Sequence, residues 1–303
     1  MKSNFSKLYK IIIFLLFIGG ITGLGLNLIT KYRQMQKLQE IQQANELLRQ
    51  KKHAAAIIAY DRLLQNDTAQ TDLLWINRGY AWLGLNQYNE MLQSCSAATL
   101  IQPKAALAWN CRGEALYYLG QPETALRAFK KAICLNNQNA TFWLNRSRVL
   151  TDLQQYQQAI AANEEAIKLL SPSKFQKNSD RPKKAIALEQ QGQIWLQAKE
   201  NKQALATFNR SLKEQPNYLP AQQGKGIALY RLGLYNNATD SFTTILQRDD
   251  LTPEQSAINW LYQGISLCET DQIADSAEAF KQVLKLTKNS EAREIAIAGC
   301  GIR

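Results

Sequence analysis

The sequence predicts an all-helical solenoid of stacked helix pairs, preceded by one membrane-spanning helix. Three observations carry that prediction. Markers recur at a constant interval, each repeat holds apolar spacings of i, i+3, i+4, and a charge-free apolar run lies near the N-terminus. The composition agrees. With 303 residues, 46% apolar and 20% charged, the chain is neither wholly disordered nor collagen-like nor a polytopic membrane protein. Only 15 Gly and 7 Pro leave little punctuation for an all-β fold with many tight turns.

The first expected element is the run Ile11 to Ile29, IIIFLLFIGGITGLGLNLI, whose 19 residues carry no charge. As a helix it spans about 28 Å, close to the ~30 Å hydrocarbon core of a bilayer. Lys2, Lys7 and Lys10 flank one side, and Lys31, Arg33 and Lys37 the other. These six account for more than half of the formal charge of +11. A cleaved signal peptide is the rival reading. Its apolar region is typically shorter, about 7–15 residues, and Gly23-Leu24-Gly25 is a weak cleavage match. Residues 1–30 are therefore expected to be a tail and a retained single-pass anchor. The flanking charges are nearly balanced, so orientation rests on the short lysine tail staying in the cytoplasm. The rest of the chain, residues 31–303, then lies on the non-cytoplasmic side, or is secreted if the segment is cleaved.

Next comes the repeat. Trp75, Trp109 and Trp143 are evenly spaced along the chain, and four residues after them stand Gly79, Gly113 and Ser147. The small residue returns at Gly192, Gly226 and Gly264 after insertions of eleven and four residues. Sixteen residues beyond the small one stand Cys95, Phe129, Asn163, Phe208, Phe242 and Phe280. Small residues between these markers include Ala125, Ala159, Ala204 and Ala238, and Pro103 and Pro216 close two units. Turns at Gly84-Leu85-Asn86, Gly120-Gln121-Pro122 and Gly233-Leu234-Tyr235 divide units into helix pairs. A small residue on the first helix lets the backbones approach while the large residue on the second fills the gap. One pair cannot bury both apolar faces, so neighbours stack.

Seven units fit, near 37–71, 72–105, 106–139, 140–173, 185–218, 219–252 and 257–290, with a C-terminal cap over 291–303. The first is degenerate, pairing Ala44 with Tyr60. Ser171 to Lys184 carries five basic residues and two prolines, and is expected as a basic loop over 174–184. Thr252-Pro253-Glu254-Gln255 has the cap, proline and acidic first turn of a helix start.

W-x-x-x-G, then A-x-x-x-F-x-x-A and a closing Pro, resembles the tetratricopeptide repeat (TPR) over 72–290, and more loosely back to Lys37. The resemblance implies a right-handed superhelical solenoid of about seven hairpins, with a concave groove lined by the first helices. Carried over by helical phase, that groove would hold Ile76, Tyr80 and Leu83, then Leu107, Asn110, Glu114 and Tyr117. Further units would add Leu144, Arg148 and Thr151, then Glu189 and Gln193, then Gln223, Ile227 and Tyr230. Tyrosines and amides among aliphatics suit a peptide better than a small metabolite. The Lys and Asn pair by which some TPR proteins hold chaperone tails is missing. Ile41 and Asn45, then Ile76 and Tyr80, stand at that phase.

Catalytic chemistry has little material. His53 is the single histidine and is expected to be an exposed helical residue. Phosphate-loop, dinucleotide and calcium-loop motifs are missing from the sequence, and no metal or cofactor is expected. Cys95, Cys111, Cys134, Cys268 and Cys300 show no CxxC, and their odd number argues against a full disulfide framework. Cys95 reads as buried. A Cys111–Cys134 bridge is open, and Cys300 is the expected free thiol. Arg78, Arg112 and Arg146 recur in step with the tryptophans, either as a basic ladder or as stems covering apolar surface. Beyond Lys37 the net charge is only +5, so no nucleic-acid partner is expected. The resulting expectation is a non-enzymatic, membrane-anchored scaffold for a protein or peptide partner, assisting assembly of a membrane or envelope complex. The alternatives are a non-catalytic subunit of an enzyme or secretion complex, or a secreted TPR protein.

Overall fold

The computed structural model describes residues 23–66, 71–171 and 181–301. Among them are fifteen α-helices, one terminal 3-10 turn and no strand. They fall into two compact units, Met1–Leu135 and Asn136–Arg303. The first unit contains three hairpins: α1 (Gly23–Arg49) with α2 (His53–Asn66), α3 (Asp72–Leu83) with α4 (Tyr88–Ile101), and α5 (Ala106–Tyr118) with α6 (Pro122–Leu135). The second contains four: α7 (Ala140–Asp152) with α8 (Tyr156–Leu169), α9 (Arg181–Gln197) with α10 (Asn201–Glu214), α11 (Leu219–Arg231) with α12 (Tyr235–Leu246), and α13 (Pro253–Cys268) with α14 (Ile273–Leu286). A cap helix, α15 (Ser290–Ala298), and a 3-10 turn at Gly299–Gly301 follow.

Each second helix is amphipathic in the expected way. In α6, Ala125, Ala128, Phe129 and Ala132 are buried at i, i+3, i+4, i+7, while Lys130 and Lys131 face water. The small and large markers meet as paired. A Cβ placed at Gly113 would lie 2.7 Å from the Phe129 ring, and similar approaches join Gly192 to Phe208, Gly226 to Phe242 and Gly264 to Phe280. Where the small residue is Ser147, the larger partner shrinks to Asn163. Both are fully buried, and neither amide atom of Asn163 has a hydrogen-bond partner.

All seven first helices end alike, in a way the sequence shows at only two of them. Lys51, Asn86, Gly120, Gln154, Lys199, Gly233 and Asp271 have φ between 58° and 73°. Each lies seven residues after its unit's small residue. The next residue's N–H reaches back five positions, as from Gln155 to the carbonyl of Leu150 and from Glu200 to that of Trp195. This is the Schellman arrangement, in which a left-handed residue lets the last carbonyls find donors.

Several expectations are corrected. The basic stretch ending at Lys184 is not all loop: Arg181 to Lys184 form the first turn of α9, where Lys184 pairs with Glu214 at 2.8 Å and Arg181 approaches it at 3.6 Å. The rest of that loop lies outside the described residues. His53 is half-buried, its ring filling the space where a Cβ at Gly84 would stand. The cysteines pair as Cys95–Cys111 and Cys268–Cys300, so Cys300 is not the free thiol, whereas Cys134 is free and exposed. The expected start of α13 does appear, with Thr252 and Gln255 exchanging a reciprocal capping box.

The anchor expected over Ile11–Ile29 lies mostly outside the described residues. Its last part, from Gly23, is helical and continuous with the first repeat as α1. Among the described residues no helix is long and apolar enough to cross a membrane.

Candidate binding grooves on the first helices

In the first unit polar networks join the first helices of neighbouring repeats. Tyr60 donates to Asn45 Oδ1 at 2.7 Å, and Asn77 donates to the same oxygen at 3.0 Å. Burial pushes the Tyr60 hydroxyl up to about 12, against the opposing effect of the Asn77 hydrogen bond. One repeat further, Asn110 Nδ2 donates to Glu114 at 2.5 Å and lies 3.4 Å from the Tyr80 hydroxyl. Burial, then the Glu114 charge, raises the Tyr80 pKa far above its usual range. The network fixes the Tyr80, Asn110 and Glu114 side chains relative to one another.

The residues expected to line the groove differ in exposure. Ile76 is 2% exposed and packs with Met91, Cys95, Ala98 and Ala108 inside the unit, so it offers a partner no surface. Asn110, 1% exposed, acts through Tyr80 and Glu114. Tyr80, Leu83, Glu114 and Tyr117 are half-buried, and Leu107 is exposed.

The second unit holds the remaining residues expected at the groove phase. Leu144, Arg148, Gln193, Gln223, Ile227 and Tyr230 are all half-buried, whereas Thr151 is buried and donates to the Ser147 carbonyl. Burial raises the Glu189 pKa, only partly offset by a hydrogen bond with Gln193. Tyr218 nearby is pushed up to about 12 by burial and by the Glu189 charge. Tyr230 packs edge-on to Tyr262 with ring centroids 6.1 Å apart. At the C-terminal end two cavities of about 310 Å³ and 220 Å³ flank the cap helix, lined by Ile258, Leu261 and Ile295 in one and by Ile265, Cys268 and Ile295 in the other. Leu261 and Ile265 stand at the same helical phase as Gln223 and Ile227. Extending the phase into the last repeat would have found them.

The recurring arginines are structural supports. Arg78 lies 5.6 Å from the ring centres of both Trp75 and Trp82, pairs with Asp61 at 2.6 Å and donates to Ser94. Arg112 stacks on Trp109 and Arg146 on Trp143, at 5.4 Å and 6.0 Å. Two of these indoles also pin the loop ahead of their own helix: Trp109 Nε1 donates to Pro103 O, and Trp143 Nε1 to Asn137 O, each at 2.9 Å. Among the described residues no group of three His, Cys, Asp or Glu side chains could hold a metal ion.

Helix pairs of this length with small-to-large packing define a TPR-like helical solenoid. Residues 112–174 match the tetratricopeptide repeat family model. Many solved structures share the fold. The chain is similar to PilW, described as a widely conserved type IV pilus biogenesis factor, at 19% identity and a TM-score of 0.65, covering 75% of this chain and 98% of that one. It is similar to PilF of Pseudomonas aeruginosa at 19% identity and a TM-score of 0.60, covering 75% and 96%. A tetratricopeptide repeat protein from Parabacteroides merdae aligns at 16% identity and a TM-score of 0.60, covering 86% and 97%. No curated protein matches the sequence.

Proposed function

We propose that this chain is a membrane-anchored TPR scaffold that binds segments of partner proteins on its first-helix grooves and assists assembly of a membrane or envelope complex. The observation that carries the reading is the fixed Tyr80–Asn110–Glu114 network beside half-buried Tyr117 and exposed Leu107. It holds polar side chains in fixed positions among apolar ones, a lining that suits an extended or helical peptide. Likeness to the pilus biogenesis factor PilW is in keeping with such a role, although at 19% identity it speaks to the fold alone.

The anchor is the run Ile11–Ile29, and the array stands on the non-cytoplasmic side. Two disulfides in a chain with five cysteines support that side, because such bonds form and persist in oxidising compartments. Crosslinking in intact membranes, followed by affinity capture, tests the groove. Tyr80→Ala with Tyr117→Ala should lose partners that the unaltered chain retains, and an unchanged partner set would refute groove binding. Protease accessibility in sealed right-side-out vesicles tests the side: digestion of the array there supports it, and full protection until the vesicles are broken contradicts it.

A further inference from the structure

The geometry points to a lipid-facing edge on the first unit: the end formed by α1 near Leu38, the starts of α3 and α5 and the close of α4 rests on the headgroup layer of the bilayer that the anchor enters. This inference rests on the anchored reading above and specifies how the array meets the membrane.

Three observations converge on that edge. First, α1 runs without a break from Gly23 to Arg49, so the end of the apolar run and the first repeat share one rigid helix. From Ile29 to Leu38 the rise is about 13 Å, and the headgroup layer of one leaflet is about 5–8 Å thick. A helix tilt of about 20°, as transmembrane helices commonly show, lowers the hairpins on one side of α1 toward the headgroups.

Second, several large exposed apolar side chains of the unit stand at this end, with Leu85 and Tyr118 at the opposite one. Leu38 and Leu73 stand six residues before the small residue of their repeats and are 55% and 53% exposed, a register that Ile186 and Ile258 fill in the second unit. Leu100 at the end of α4 is 82% exposed, with Ile101 beside it. The turn that joins them to α5 is held by the Trp109–Pro103 hydrogen bond, so they are presented on a fixed loop. Lys31, Arg33 and Lys104 are exposed along the same end. Apolar side chains interleaved with lysine and arginine are the composition of an interfacial surface on anionic lipid.

Third, Leu100 departs from its equivalents in the other repeats, which in the first unit are exposed Gln65 and Cys134. At the position of Leu100, the helices α8, α10 and α14 of the second unit carry exposed Lys168, Lys213 and Lys285. Those lysines are what a water-facing repeat end ordinarily shows. A leucine left 82% exposed has no such account within the unit itself.

The test uses the full chain in vesicles of phosphatidylcholine and phosphatidylglycerol. With Cys134→Ser, the remaining native cysteines are paired, so Leu100→Cys supplies the one free thiol for an environment-sensitive fluorophore. Leu85→Cys gives the matched probe at the opposite end of the hairpins. The Leu100 probe should be quenched by headgroup-proximal spin-labelled lipid and several-fold less by aqueous iodide than the Leu85 probe. Equal iodide quenching at both sites, in chain that resists alkaline carbonate extraction, overturns the edge and leaves the anchor standing. Shielding from iodide without lipid quenching places protein against Leu100 and overturns it as well. Release of the chain by carbonate overturns the anchor itself and the edge with it.

Discussion

Gly113→Ala tests whether the fold rests on close backbone approach, as the small and large pairing requires. An added Cβ would sit 2.7 Å from Cε1 and 2.8 Å from Cδ1 of Phe129. Carbon atoms in contact normally stand about 3.5–4.0 Å apart. The ring, 0% exposed, must therefore retreat by about 1 Å in a site with no spare room. Overpacking of this kind costs about 1–3 kcal/mol. Alanine in a helix recovers about 1 kcal/mol over glycine. The net expectation is a destabilisation of up to about 2 kcal/mol, where helix propensity alone would give a gain. Phe129→Leu removes the opposing ring, so the double variant should be more stable than the sum of the single effects by about 1 kcal/mol. Urea denaturation followed by far-ultraviolet circular dichroism reads all four proteins. Stabilisation by Gly113→Ala alone, with additive effects in the double variant, would refute the packing argument.

Two other outcomes follow from the second unit. Gln154 holds φ at 58°, a conformation glycine adopts without steric cost, so Gln154→Gly should raise stability by about 0.5–1 kcal/mol in urea denaturation. A drop there would mean that the side chain, not the turn, matters. Glu189 has its pKa raised from 4.5 by burial, so the folded chain keeps this proton to higher pH than the unfolded chain does. Stability from this group is thus present below the unfolded pKa and lost as pH rises through the folded one. Glu189→Gln should accordingly raise the melting temperature near pH 7 and lose that advantage near pH 4. The same gain at both pH values would exclude the carboxylate as its source.

Much of the fold is legible in the residues because each repeat repeats one steric problem. Trp, Gly and Phe at fixed offsets mark where two helices must touch and what fills the space beside them. Gly120 and Gly233 could be read as turns from their type. Lys51, Gln154 and Lys199 could not, because tertiary packing imposes the left-handed conformation on residues that carry no propensity signal for it. The grooves were legible only as a helical phase. That phase puts Tyr80, Asn110 and Glu114 within reach of one another, but it cannot tell that Ile76 turns inward to meet Met91 and Cys95.

The cysteines draw the line most sharply. Cys95 and Cys111 occupy the positions that Phe208 and Gly224 hold further along, where the phenyl ring packs directly on the glycine backbone. Spacing alone offers no reason to pair residues on the second helix of one repeat and the first helix of the next. Only stacking brings their Cα atoms to 5.5 Å, and only the folding back of the cap brings Cys268 and Cys300 to 5.3 Å. By itself the sequence determined the repeat, its helix pairs and the faces they bury, because those follow from local periodicity and side-chain size. The tertiary structure decided which cysteines bond, which turns bear left-handed residues and which groove side chains reach solvent, because each depends on contacts between residues that the chain keeps far apart.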